Sequence, residues 1–288
     1  MSSESIRQAA DIISNAQALL ITAGAGMGVD SGLPDFRGTE GFWKAYPPYA
    51  KLGLSFADLA NPEWLESDPE FAWGFYGHRL NLYRATVPHD GFGILLNWTK
   101  SKPRGGYVFT SNVDGAFQAA QFPPETVSEV HGSLLWMQCI KKCGIGIFSS
   151  DKIRPVIDET TMRARQPLPK CPACGALARP NILMFGDQNW DNRRSHSSAA
   201  KMNEWLQTLK PNQLVIVELG AGVAIPTIRV FSEQMAHMCD GKLIRINVRD
   251  LETPKPHLAI PMSALAALQA IDAEIKDAPR SKTAAHAS

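Results

Sequence analysis

The chain is short of several features that would each point to a class of protein. The first ten residues, "MSSESIRQAA", have neither a basic start nor an apolar core, so they do not read as a secretory signal. No apolar run approaches the ~20 residues that a membrane-spanning helix needs. Charge of one sign is not in excess: the 288 residues carry a formal net charge of +1. That balance gives no electrostatic footprint for a nucleic acid or an anionic membrane. There is no internal repeat and no low-complexity block. Cysteine is scarce, and its five copies are an odd number in a long chain, which argues against a disulfide framework. These absences leave a soluble, cytoplasmic protein with thiols free for metal binding or thiolate chemistry, and with room for one large core plus a smaller insertion.

Two alternating patterns fill the chain. Short β-branched apolar runs, "ALLITA" (18–23), "GYVFTSN" (106–112), "NQLVIVELG" (212–220) and "KLIRINV" (242–248), read as buried parallel strands. Segments of helical periodicity, such as "SIRQAADIISNA" (5–16) and "SALAALQAIDAEIKD" (263–277), lie around them. The alternation predicts an α/β fold, a Rossmann-type parallel sheet with helices on both faces. Residues 44–86, rich in aromatics and turns, and 137–176, bounded by cysteine pairs, break the pattern and predict a smaller inserted zinc-binding and helical domain. The sheet domain then takes residues 1–43, 87–136 and 177–276, and residues 277–288 read as a disordered tail.

Directly after the first strand stands "GAGMGVDSGLPDFRG" (24–38). Glycines after a strand let backbone N–H groups approach a diphosphate, although turns use the same residues. The spacing departs from G-x-G-x-x-G. A plain turn, however, does not need the acid, ring and guanidinium of Asp35, Phe36 and Arg37. Farther on, "TSNVDGAF" (110–117) ends a strand with Asn112 and Asp114, and "EVHGSL" (129–134) carries His131, with Gly132 leaving room beside the ring. A lone histidine is commonly a packing residue. Here it follows two polar residues at a strand end, where open α/β sheets place their ligands, and an imidazole can accept a proton near neutrality.

These three stretches, together with "RPNILMFGD" (179–187), resemble the motifs of the sirtuin family of NAD-dependent protein deacylases, in order and spacing from about residue 5 to residue 275. The resemblance implies that His131 is the general base toward a hydroxyl of the nicotinamide ribose. It also implies that Asn112 orients the ribose and a water, and that Asp114 holds the nicotinamide amide with Asp35 nearby. Phe36 would shield the reactive ribose carbon and Arg37 would contact the diphosphate, with Gly24, Ala25 and Gly26 as the backbone cradle. Ile182, Leu183, Phe185 and Gly186 would hold the substrate.

Two departures stand out. Ser111 replaces the family's usual glutamine and is too short for the same ribose hydrogen bond. The loop that normally carries two hydroxyls is "ELGAGVAIP" (218–226), so Gly220, Ala221 and Gly222 offer backbone donors only. Asn247, in "RINVRD" (245–250), either contacts the adenosine ribose or makes a strand-end turn.

Cys139, Cys143, Cys171 and Cys174 form a C-x3-C and C-x2-C set, the second pair inside the tight "CPACG". Four thiolates with no interrupting histidine or carboxylate predict one structural zinc with no open position, the other reading being redox-active dithiols. Cys239 reads as a small packed residue. Tyr76 and Arg79 sit at i and i+3 on one face of an aromatic helix. In sirtuins resembling the desuccinylase branch such a pair binds an acyl carboxylate; the plainer reading is surface or packing. The expected reaction is removal of acetyl or succinyl-like groups from lysine, with release of nicotinamide and O-acyl-ADP-ribose. A small acylated amine as substrate, and NAD hydrolysis or ADP-ribosyl transfer, remain the alternatives.

Overall fold

The computed structural model describes residues 2–34, 42, 44 and 46–277. A six-stranded, all-parallel sheet is its centre, in the order β11-β10-β9-β1-β2-β3. The strands are β1 (Ala18–Ala23), β2 (Gly106–Thr110), β3 (Val127–Glu129), β9 (Leu214–Leu219), β10 (Lys242–Ile246) and β11 (Leu258–Ile260). The chain begins in the middle with β1 and grows outward through β2 and β3. It then returns across β1 to add β9, β10 and β11 on the other side, which is the order of a dinucleotide-binding Rossmann sheet. The direction of winding reverses between β1 and β9, so a crevice opens at their carboxyl ends.

Every residue of β1 and of β9 is buried, because helices cover both faces. Leu19, Ile21 and Ala23 point to one side and pack against the helices Ser2–Asn15, Asp90–Ser101 and Ala264–Asp277. Ala18 and Leu20 point to the other, against the helices Arg193–Gln207 and Thr227–Met238. The alternation is the period-two pattern of a strand, and cover on both faces explains why these segments are apolar at almost every position, with Thr22 and Glu218 as the exceptions. On that second face Thr22 Oγ1 and Ser232 Oγ share a hydrogen bond of 2.8 Å, which satisfies two buried hydroxyls.

A second sheet, in the order β5-β4-β8, is antiparallel and made of β4 (Gly132–Cys139), β5 (Ile147–Ser149) and β8 (Ala178–Ile182). The hairpin β6 (Ile157–Asp158) and β7 (Arg163–Ala164) lies nearby. The helix Pro69–Ala85 packs Trp73, Phe75, Tyr76 and Leu80 into a separate core with Leu134, Met137, Met162 and Ile182. Trp73 Nε1 donates to the Ala178 carbonyl at 3.0 Å, so the helix is tied to β8 by a polar anchor as well. This antiparallel sheet begins at residue 132 and ends at residue 182, wider on both sides than the 137–176 read from the cysteine spacing. Tail residues 278–288 lie outside the described residues. Among the described residues no helix is long and apolar enough to cross a membrane.

Candidate active site and cysteine cluster

The crevice between β1 and β9 is closed by bare backbone. A Cβ on Gly24 would stand 2.8 Å from the Gly220 carbonyl oxygen, and one on Gly220 would collide with Gly26. Gly26 N–H donates to Gly220 O at 3.0 Å, which joins the two loops. The glycines are therefore needed for close approach of two chain segments, and that leaves peptide groups exposed where a dinucleotide backbone would pass.

In front of this crevice lies a cavity of about 670 Å³, within the usual range for a small-molecule site. It is bounded by Gly24, Ala25, Ser111, Asn112, Asp114 and His131 from the sheet domain side, and by Ala221 and Gly222. Tyr76, Arg79, Ile182, Leu183, Phe185 and Gly186 complete it from the other side. Three expected cofactor residues do not line it. Gly26 and Gly220 serve the contact just described, and Asn247, which is buried, donates from Nδ2 to Ala221 O at 2.9 Å. Asn247 thereby holds the loop that follows β9. Asp35, Phe36 and Arg37 lie outside the described residues.

The polar wall is built by strand ends. Thr110, the last residue of β2, donates from Oγ1 to Ala23 O at 2.9 Å and accepts the Asn112 N–H at 3.0 Å. Asn112 Nδ2 then donates to Gly24 O at 3.0 Å, which fixes the amide plane and turns its oxygen away from that bond. Asp114 accepts the Ala116 N–H on Oδ1 at 2.8 Å. Burial pushes the Asp114 carboxyl above the usual carboxylate range, with Arg79 and the Ala116 hydrogen bond pulling back. His131 sits between β3 and β4. Burial holds its imidazole below the ordinary value, and a hydrogen bond to the Ser111 backbone acts in the opposite direction. The ring is thus neutral near physiological pH, the state a general base requires.

Gly132 has a different purpose from room beside that ring. Its φ is +77°, and an added Cβ would run into the Asn181 carbonyl, so the residue exists to let β8 pass. That close passage matters, because β8 leads straight into the segment 182–186. Leu183 N–H donates to His131 O at 2.9 Å, and Phe185 N–H donates to Ala60 O at 2.9 Å. The side chains of Leu183 and Phe185 are 42% and 47% exposed, which leaves an apolar rim at the cavity mouth.

Tyr76 and Arg79 are not surface residues: their exposures are 0% and 6%. The Tyr76 hydroxyl is buried with no hydrogen-bond partner among the described residues. Arg79 donates to Tyr83 Oη from Nε at 3.0 Å and from Nη2 at 2.7 Å, and lies 5.2–5.5 Å from the ring centres of Phe56, Phe75 and Tyr83. A cation held over aromatic faces keeps part of the stabilisation it loses with water.

Two pairings around the cavity are not announced by the sequence, although the first joins the two ends of "RPNILMFGD". Arg179 and Asp187 form an ion pair with side-chain exposures of 2% and 0%, and Asp187 borders the cavity. Tyr83 reads as one more aromatic of its helix, yet it fixes Arg79.

The four cysteines meet beyond β4. Their sulfurs all lie within 4.8 Å of one another, with Cys139–Cys174 at 3.5 Å and Cys143–Cys171 at 3.6 Å. A tetrahedron with zinc–sulfur bonds of ~2.3 Å has edges of about 3.8 Å, so the donor set fits zinc. Two turns present the thiols. Lys142 N–H returns to Cys139 O at 3.1 Å, and Gly175 N–H returns to Cys171 O at 2.9 Å. All four positions of the tetrahedron are taken by thiolate, which makes the centre structural. Cys239 stands apart, packed against the second face of the parallel sheet.

Comparison with known proteins follows the same lines. Residues 24–209 match the model of the Sir2 family. An NAD-dependent protein deacylase of Leptospira interrogans is 29% identical over 232 residues, which is 80% of this chain and 81% of that protein. A probable bifunctional ADP-ribose hydrolase/ADP-ribosyltransferase of Fusarium oxysporum is 29% identical over 259 residues, 85% of this chain but 42% of that longer protein. Among solved structures, a Sir2 homolog–NAD complex superposes with a TM-score of 0.70 at 24% identity, covering 93% of each chain.

Proposed function

The chain belongs to the Sir2 family, and on that premise we propose that it is an NAD-dependent protein deacylase acting on acylated lysine. One observation carries the reading: His131, Asn112 and Asp114 share a single cavity with the glycine crevice and with the segment 182–186. NAD, when bound, supplies a ribosyl carbon that accepts the acyl oxygen as nicotinamide leaves.

The remaining chemistry belongs to the chain. Gly24, Ala25, Ala221 and Gly222 receive the diphosphate through backbone groups, with Gly26, Gly220 and Asn247 holding those loops in register and Arg37 pairing with the charge. Asp114 holds the nicotinamide amide, with Asp35, and Phe36 keeps water from the reacting carbon. Asn112 orients the ribose, and Ser111 reaches it through a water. His131, neutral at its ring, takes the proton of a ribose hydroxyl. Ile182, Leu183, Phe185 and Gly186 hold the acylated chain as an extended strand beside His131. Tyr76 and Arg79 meet the end of the acyl group, and a carboxylate-ended chain such as succinyl suits a buried guanidinium better than acetyl does.

We assign residues 1–43, 87–136 and 177–276 to the NAD-binding domain and 44–86 and 137–176 to the smaller one, with β4 and β8 crossing the border. One zinc on Cys139, Cys143, Cys171 and Cys174 braces the smaller domain. A cytoplasmic site of action suits four thiolates, which a reducing compartment preserves.

ADP-ribosyl transfer or NAD hydrolysis is the second reading, supported by the name of the Fusarium relative. A small acylated amine in place of a protein is a variant of the first, supported by the hydroxyl-free loop Gly220–Gly222. Purified protein incubated with NAD and a panel of acylated lysine peptides and small acylated amines separates them. Deacylated peptide with O-acyl-ADP-ribose in the mass spectrum supports protein deacylation; nicotinamide release with no deacylation on any substrate defeats it.

A further inference from the structure

Arg79 and Tyr83 are one turn apart on the helix Pro69–Ala85 and meet at its inner face. Tyr83 Oη accepts two N–H groups of the guanidinium, at 3.0 Å and 2.7 Å. A phenol oxygen that accepts twice still has its own proton to donate. The direction in which that proton can go is set by a second, small cavity of about 20 Å³. Tyr83 and Asp114 both line it, together with Ser31 and Thr86. Such a volume accommodates about one water; Gly28, Leu33, Pro88, Ala116 and Ala119 make the rest of its wall, so the polar partners of that water come from these four side chains. Asp114 uses Oδ1 for the Ala116 N–H, which leaves Oδ2 as an acceptor. Ser31 Oγ already accepts the His89 N–H at 2.9 Å, and Thr86 Oγ1 donates to Leu82 O at 2.9 Å. Of these four side chains Tyr83 is the hydroxyl fixed by a guanidinium and Asp114 the one carboxylate, so they are the strongest donor and the strongest acceptor for that water.

We propose that Tyr83, gripped by Arg79, donates through one water to Asp114, and that Arg79 and Tyr83 are positioning residues that keep this buried carboxylate ionised and aimed into the larger cavity. The proposal rests on the reading of Asp114 as the group that holds the nicotinamide amide. The charges acting around it agree. Among the described residues, Arg79 and Tyr83 face Asp114 from the helix, and Asp114 in turn acts on Glu129 of β3. Burial raises the Asp114 carboxyl, and Arg79 draws it down, whereas on the β3 side the charge of Asp114 raises Glu129. Burial pushes the Tyr83 phenol up, so it keeps its proton throughout the working range and remains a donor. Arg79 consequently belongs to the cofactor end of the cavity as well as to the acyl end.

The test is a pH titration of NAD-free protein labelled with ¹³C at aspartate carboxyls, with Asp114 assigned through Asp114→Asn. Arg79→Met removes a nearby opposite charge and should raise the Asp114 midpoint by about 1–3 pH units. Tyr83→Phe should raise it by a smaller step, and Arg79→Lys, which keeps the charge, should stay near wild type. An Asp114 midpoint that is unchanged in both Tyr83→Phe and Arg79→Met, in variants with native spectra, overturns the coupling. Wild-type NAD turnover in Asp114→Asn overturns the role of Asp114 itself, and the positioning role with it, whatever the titration gives.

Discussion

Asn112 Nδ2 donates to the Gly24 carbonyl at 3.0 Å and so ties the end of β2 to the start of the loop after β1. The amide is held by the scaffold before any ligand arrives, which is the condition for a site that acts without rearranging. Asn112→Ala should break this tie and release the Gly24 loop. Affinity for NAD should fall by about tenfold to a hundredfold, the loss of one or two hydrogen bonds, while the melting temperature shifts by only a few degrees. Calorimetric titration with NAD measures the first and differential scanning the second.

The cysteine centre gives a separable prediction. Cys171→Ser should release the metal, since the remaining three thiolates lose most of the affinity of a closed tetrahedral site. The antiparallel sheet β5-β4-β8 should then unfold locally while the parallel sheet persists. Metal analysis and hydrogen exchange check this together, and one zinc per chain is expected in protein purified without chelators.

Arg179 and Asp187 are both sealed from water, so removing one strands the other. Asp187→Ala should destabilise the protein by about 3–5 kcal/mol, the usual cost of leaving a buried charge uncompensated. The segment 182–186 lies between the two residues, so the variant should also raise KM for the acylated peptide more than KM for NAD. Urea unfolding and steady-state kinetics give the two readings.

The acyl group is tested at Arg79. If its guanidinium meets a carboxylate-ended chain, Arg79→Met should cut activity on succinylated peptide far more than on acetylated peptide, because a site that hydrogen-bonds its substrate strongly rejects an analogue lacking the group. Equal losses on both would assign Arg79 wholly to the Tyr83 and Asp114 side of the cavity.

Much of this was legible from single residues because their physical demands are local. A mostly apolar run such as "ALLITA" followed at once by glycine reads as a buried strand entering a close-packed loop, and β1 with Gly24 is that case. Asn112, Asp114 and His131 stand out in the sequence as polar residues at strand ends, and the fold brings all three to one cavity. What stayed hidden depends on register and on packing across the chain. Glu218 and Arg245 are neighbours only because β9 and β10 pair in that register, and nothing in "VELG" or "RIN" announces a buried ion pair within the sheet. Gly132 looked like space beside an imidazole, whereas the Asn181 carbonyl fills that space. Tyr83 was one aromatic among many until its hydroxyl was seen to hold Arg79.

His131 sets the pH dependence. Its folded pKa is depressed below the ordinary 6.5 by burial, so the neutral ring predominates at neutral pH. Activity that depends on the neutral base should therefore stay level from about pH 7.5 downward and fall only as pH drops through the lowered folded value. A rate profile in which the acid limb stands above 6.5 would assign that limb to another group.

The most direct measurement compares wild type with His131→Ala on the best acylated peptide, counting nicotinamide, deacylated peptide and O-acyl-ADP-ribose by mass spectrometry in the same reaction. Wild type should form the three in equal amounts. His131→Ala should lose about 10²–10⁴-fold in deacylation, the usual contribution of a general base, while still binding NAD and keeping a native melting curve. Undiminished deacylation by His131→Ala, or nicotinamide released by wild type with no deacylated peptide, would contradict a deacylase that works through His131.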